Sequence, residues 1–311
     1  NTKNYSYCKK IVMNLSNENY IIKLLEFLND IGMRFNELNK SITSYYFESL
    51  YFVSKLLYNQ NSNKWVTKLI TSVFTLSIFL RNNFKTNESI KLQFEIIEIL
   101  KNLYKKNPTK WNNFYITCLT NQAAFLRNTG NKIESIKFNK EALSITKCLY
   151  ESDTDIWCYH YTTILNNLAM SLKDVGHVSE AIELEREALC IRKPLHENDP
   201  ISWNKEYTIS LSNLATSLKN NGQVEEAIEL EIEALRIRKS MYINDPDIYV
   251  ENYISSLINL GTSFYKYNKI EETLEYCKEA YEITKPLYES NQNKWSDLFT
   301  KSLSSFGTSL E

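Results

Sequence analysis

Every tryptophan in this chain sits at one phase of a 46-residue period. Trp65, Trp111, Trp157 and Trp203 are 46 residues apart, Tyr249 holds the next position and Trp295 the one after. A period of that length restricts the chain to an array of stacked supersecondary units, each burying its apolar face against its neighbours. Other columns keep the same phase. Leucines stand at 119, 165, 211, 257 and 303. Small residues stand at Ser77, Ala123, Ala169, Ala215, Gly261 and Gly307, and again at Ala142, Ala188, Ala234 and Ala280. A turn column reads Gly130, Gly176, Gly222 and Asn268, and a tyrosine column reads Tyr58, Tyr104, Tyr150, His196, Tyr242 and Tyr288.

Each period reads as two helices. Trp203, Tyr207, Leu211, Leu214 and Leu218 recur at steps of three and four, one stripe of an α-helix. Asn221-Gly222 breaks that helix, glycine being suited to a left-handed end. The second helix begins near Val224, with Glu225, Glu226 and Glu229 early and Arg236, Arg238 and Lys239 late, an order that complements the helix dipole. Asp245-Pro246 stops it, since proline cannot continue a helix. The small columns allow two antiparallel helices to approach closely, and a large residue there would strain the core. The expected architecture is all-α: an α-solenoid of helix-turn-helix units at 65–110, 111–156, 157–202, 203–248 and 249–294, with a partial unit at 295–311. Residues 19–64 read as a degenerate unit with one residue deleted in its turn, and 1–18 as a preceding second helix, so that 1–64 caps the array.

The spacing of Asn167-Leu168-Ala169, Leu172, Gly176, Ala181 and Ala188 resembles the tetratricopeptide repeat motif. The longer text, Leu165 to Ala169, Glu180-Ala181, Glu187-Ala188-Leu189 and Ile191-Arg192, resembles the lengthened repeats of kinesin light chains. The resemblance covers about 65–311 and implies a right-handed superhelix whose concave face is lined by the first helix of each unit. It implies a non-catalytic scaffold that holds a protein or peptide partner in that groove. Similar arrays in bacterial proteins are joined to effector or nucleotide-switch modules, and the first residue here is Asn rather than Met. One expectation is therefore the sensor region of a larger defence or signalling protein, partnered by other domains of the same parent chain. The alternatives are an adaptor similar to the light chains and a regulatory domain gating an adjoining enzyme such as a protease.

At about 100° per residue, Trp157, Tyr161, Leu165, Leu168 and Leu172 define the packed side of a first helix, and Thr163, Asn166, Met170 and Lys173 lie opposite. Followed through the array, the Lys173 position reads Arg81, Arg127, Lys173, Lys219 and Tyr265. Its neighbour reads Asn82, Asn128, Asp174, Asn220 and Lys266. Cations repeated in four successive units would favour an acidic or carboxylate-terminated segment, and amides beside them could bond an extended backbone. The same cations, close to the end of each helix, would also stabilise its dipole. In related families, asparagine rows hold extended peptides, and Asn121, Asn167, Asn213 and Asn259 resemble such a row. They could equally bond between neighbouring helices. The tryptophans read as packing.

Nothing in the sequence points to catalysis. The three histidines are His160, His177 and His196, and Cys158 and His160 would lie on different faces of their helix. No phosphate-loop, metalloprotease or serine-hydrolase motif occurs, and no cofactor or metal ligand set is visible. Lys plus Arg number 36 against 37 Asp plus Glu, a balance that argues against nucleic acid as partner. The six cysteines form no C-x-x-C pair, which suits free thiols in a reducing, cytoplasmic setting. The longest apolar stretch, near Leu69 to Leu80, is about 12 residues where a bilayer needs about 20.

Overall fold

The computed structural model describes residues 18–35 and 40–310. The expected second helix in 1–18 and the shortened turn after Phe35 lie outside the described residues. Thirteen helices follow one another among those residues, with no strand. They are α1 (Glu18–Phe35), α2 (Lys40–Gln60), α3 (Ser62–Asn82), α4 (Thr86–Lys106), α5 (Pro108–Asn128), α6 (Lys132–Ser152) and α7 (Thr154–Lys173). Then come α8 (Val178–Asn198), α9 (Pro200–Asn220), α10 (Val224–Asn244), α11 (Pro246–Lys266), α12 (Ile270–Ser290) and α13 (Gln292–Thr308). The all-α helix-turn-helix architecture is thus present, two helices to each period. Two compact units divide the chain, one ending at Gln122 and one running Ala123–Glu311, with the division inside α5.

The joints are written in side chains. Asp153, Asp199, Asp245 and Asn291 each end one helix and cap the next, accepting the backbone amide of Ile156, Ser202, Ile248 and Lys294 at 3.1 to 3.3 Å. The second helices end at Asn198 and Asn244, just before Asp199-Pro200 and Asp245-Pro246 as expected, and the same prolines open α9 and α11, where a missing N–H costs nothing. The Ser202 hydroxyl, and then the Ser202 backbone amide, hold the Asp199 carboxyl below the usual carboxylate range. Between the two helices of a unit the turn residue is left-handed: Gly130, Gly176 and Gly222 at φ 87, 86 and 82.

The turn between α3 and α4 departs from that rule. Phe84 takes the left-handed position at φ 61 with 92% of its surface exposed. A side chain there crowds the carbonyl that follows it. Phe84→Gly should therefore raise stability by about 1 kcal/mol, read as a higher urea midpoint. An unchanged or lower midpoint would mean that the strain is absent.

Packing follows the columns. In the unit ending at Gln122, Leu25, Leu28, Leu50, Val53, Leu57 and Trp65 form one core. In the unit Ala123–Glu311, Ala169 and Ala215 of the first helices and Ala181, Ala188, Ala227 and Ala234 of the second are fully or almost fully buried. At Gly261 a Cβ would come within 2.6 Å of the Cys277 Sγ, so the Cys277 side chain would have to move to admit a larger residue there.

The tyrosine column has a use that periodicity alone does not reveal. The last aromatic of each second helix stacks on an aromatic of the next first helix. Tyr150 lies on Tyr161 at 4.7 Å, His196 on Tyr207 at 4.5 Å, Tyr242 on Tyr253 at 5.0 Å and Tyr288 on Phe299 at 4.4 Å. The hydroxyls of Tyr161, Tyr207 and Tyr253 then donate to Glu187, Glu233 and Glu279 of their own unit's second helix at 2.6, 2.7 and 2.5 Å. Burial, and then the neighbouring carboxylate, hold these phenols well above the usual tyrosine range, so each stays a donor. One ring thereby joins three helices.

Candidate functional site

The cation column does not stand free in the unit Ala123–Glu311. Lys173 at the end of α7 places its Nζ 2.8 Å from Glu185 of α8, a carboxylate whose side chain is 0% exposed. Lys219 of α9 does the same with Glu231 of α10 at 2.5 Å and also donates to Ser263 of α11. Ser263 in turn donates to the other oxygen of Glu231 at 2.6 Å. Arg127 reaches the Asp174 carboxylate at 2.6 Å. These side chains hold helices to one another, a role that neither the dipole nor the ligand reading contained. The sequence shows why the pairing is local: the position twelve residues after the lysine is Glu185 and Glu231 in two units, but Asn139 and Cys277 in the flanking ones. Where Cys277 stands, the first helix carries Tyr265 and Lys266 instead, both exposed. In the other unit of the chain, Arg81 is exposed at the end of α3.

The amides divide into two sets. Asn166 was expected on the face away from the packing, yet it is 5% exposed and donates to Ser210 of α9 at 3.3 Å. A first helix here packs on the next first helix as well as on the second helices, so its free face is narrower than a single-helix projection suggests. Asn128 and Asn220 are exposed beside their turns. Asn121, before the division, is exposed. Asn167 and Asn213 are half-buried and Asn259 is exposed. The backbone carbonyls of these three accept from Ser171, Ser217 and Ser263. Their side-chain amides make no hydrogen bond among the described residues, so the row is not spent on bonding helix to helix.

Sequence reasoning missed two arginines. Arg192 of α8 is 2% exposed. It donates to Thr162 and Thr163 of α7 at 3.0 and 3.2 Å, and to the Glu206 carbonyl and Ser210 hydroxyl of α9 at 2.9 Å each. Arg238 of α10 occupies the same phase one unit on and reaches the Ser256 hydroxyl at 2.6 Å and the Thr208 carbonyl at 3.1 Å. No carboxylate of the described residues lies within ion-pairing distance of either. Burial lowers both guanidinium pKa values to about 10, which leaves them charged at neutral pH. The signal that could have found them is a column reading Leu100, Thr146, Arg192, Arg238 and Thr284, in which a charge replaces leucine or threonine.

The buried thiols are poorly placed for covalent chemistry. Burial pushes the Cys118 thiol up to about 12 and raises those of Cys158 and Cys277, so none is a ready thiolate. His160 lies against Trp157 at 5.5 Å and Tyr159 at 5.7 Å, while Cys158 bonds the Asp155 carbonyl. Among the described residues no three His, Cys, Asp or Glu side chains are grouped to hold a metal ion. No described helix is long and apolar enough to cross a membrane.

Comparison with known proteins agrees with this geometry. Residues 162–200 and 209–247 match the family described as tetratricopeptide repeat. Among solved structures, BtubC (BKLC) from P. vanneervenii is similar with a TM-score of 0.66 at 17% identity, over 81% of this chain and 93% of that one. The apo form of RapI is similar with a TM-score of 0.58 at 12% identity, over 92% and 96%. A chain of nearly identical TPR-like repeats from Podosopora anserina, named after kinesin light chain, gives 0.52 at 17% identity, over 71% and 96%. At these identities the likeness is one of fold. A search of curated proteins found no significant sequence match.

Proposed function

We propose, from the premise that this chain is an array of tetratricopeptide repeats with a 46-residue period, that it is a scaffold holding an extended protein segment against its first helices. The observation that carries this reading is the row Asn167, Asn213 and Asn259 on α7, α9 and α11. One amide per unit is at least partly exposed and without a partner among the described residues. A side-chain amide offers a donor and an acceptor at one point, which matches the backbone of an extended peptide. Repeating it at each unit gives a ladder that sequence-independent contacts can climb, with neighbouring side chains left to select the ligand. The scarcity of poised nucleophiles and bases favours binding over turnover.

The test is direct. Peptides selected from a displayed random library on the intact chain should bind in extended form. The triple variant Asn167→Ala, Asn213→Ala, Asn259→Ala should bind them about 100-fold more weakly, three lost bonds at about 1 kcal/mol each. Isothermal titration measures the loss and circular dichroism checks that helicity is unchanged. Failure to select any peptide, or equal affinity in the variant, would overturn the reading.

A further inference from the structure

A cavity of about 460 Å³ opens in the unit ending at Gln122, where the first turn of α2 meets the turn between α3 and α4. That volume falls in the range of about 300–1,000 Å³ found for small-molecule sites. Lys40, Ser44 and Tyr45 line it from α2, and Asn83 and Lys85 from the turn. Both lysines are exposed, and neither has an ion-pair partner among the described residues. Glu48 is the one carboxylate in the lining, and one of its oxygens accepts from the Ser44 hydroxyl at 2.9 Å. Two cations against one anion leave the cavity positive. Two helix dipoles add to that charge, because the first residue of α2 and the residue before α4 both stand in its wall. The Tyr45 hydroxyl is a further donor, with no acceptor among the described residues.

The paired lysines are particular to this place. At the same two positions the later periods read Thr86 and Asn131, Lys132 and His177, Val178 and Gln223, Val224 and Lys269. Phe84 is particular to it as well. It stands between the lining residues Asn83 and Lys85, in the left-handed position that Gly130, Gly176 and Gly222 fill in other units. Its ring is 92% exposed and stacks on no other ring of the described residues.

We infer that this cavity binds a nucleotide, its phosphates on Lys40, Lys85 and the Tyr45 hydroxyl and its base on the face of Phe84. A phosphate is a multiply charged acceptor, and ammonium and hydroxyl donors without counter-ions are what it needs. A solvent-facing aromatic ring at the rim accepts the flat face of any base. The fold gains nothing visible from a phenylalanine at position 84, and a ligand that stacks on it supplies the use. The site belongs to a different unit of the chain from Asn167, Asn213 and Asn259, so it neither rests on the peptide reading nor alters it.

ATP carrying a methylanthraniloyl fluorophore on its ribose, followed by anisotropy on the full chain, tests this. Unlabelled ATP should displace the probe at lower concentration than either adenosine or tripolyphosphate, since each of those keeps only half of the contacts. Lys40→Gln and Lys85→Gln should each weaken probe binding about tenfold, the worth of one charge-assisted bond. Both side chains are exposed, so neither change disturbs the core. Phe84→Gly, expected above to stabilise the fold, should weaken the probe about tenfold and leave competition by tripolyphosphate within about twofold. Lys285→Gln, an exposed lysine on α12, should change probe binding less than about twofold. No binding of the probe, or binding unmoved by both lysine variants, would overturn the site. Tripolyphosphate competing as well as ATP, with Phe84→Gly unchanged, would overturn the nucleotide assignment, and so would adenosine competing as well as ATP.

Discussion

Lys173→Met should cost about 3–5 kcal/mol of stability, because it leaves the Glu185 carboxylate buried with no cation beside it. Glu185 is closed to solvent, and Lys173 is its single ion-pair partner among the described residues. The double variant Lys173→Met, Glu185→Leu removes both charges and should recover most of the loss, since an apolar pair of similar volume is often as stable as the buried ion pair it replaces. An exposed control, Lys278→Met, loses only a loose 3.8 Å contact with Glu282 and should lie within about 0.5 kcal/mol of wild type. Urea unfolding of the four proteins decides the matter. A single variant as stable as wild type would mean that water reaches Glu185.

Tyr207→Ala should cost a similar amount, about 3–5 kcal/mol. The ring is 1% exposed, stacked on His196 across the joint between units and bonded through its hydroxyl to Glu233. Tyr207→Phe separates the two contributions. It keeps the stack and loses the hydrogen bond, so it should cost about 1–2 kcal/mol, and raising the pH toward 9 should not change the difference, because the buried phenol stays protonated there. A phenylalanine variant as weak as the alanine one would show that the hydroxyl, and not the stack, holds the joint.

Much of the fold was legible before any coordinates. The tryptophan phase, the turn glycines and the alanine columns located the helices to within a few residues, because each reflects a constraint that repeats in every unit. Two kinds of information were not legible. The first is reach. Lys173 and Lys219 look like groove residues on a helical projection, but a lysine side chain is long enough to cross to the next helix and find Glu185 or Glu231. The second is what lies under a face. Asn166 projects away from its own packed stripe and is buried all the same, because Ser210 of the next first helix comes to meet it. The asparagine row at 167, 213 and 259 was visible as a column, yet that its amides are unspent is a property of the packed chain. Arg192 and Arg238 were passed over because a charge among late second-helix residues looks like a response to the helix dipole. Their burial is a fact of three helices and cannot be read from one.

The joints described above have a consequence for how such a chain can grow or shrink. Asp153, Asp199 and Asp245 each stand alone between the second helix of one pair and the first helix of the next, ending one and capping the other. There is no spacer between units to absorb a mismatch. A residue added or removed within a helix would rotate the positions that follow it in that helix by about 100° and turn buried columns toward solvent. Cutting at one aspartate and rejoining at the next, by contrast, restores the same cap, the same stack and the same alanine contacts. The length of this array is therefore quantised: it can change by duplication or loss of complete units far more readily than by drift, and each unit so gained brings its own asparagine to the row.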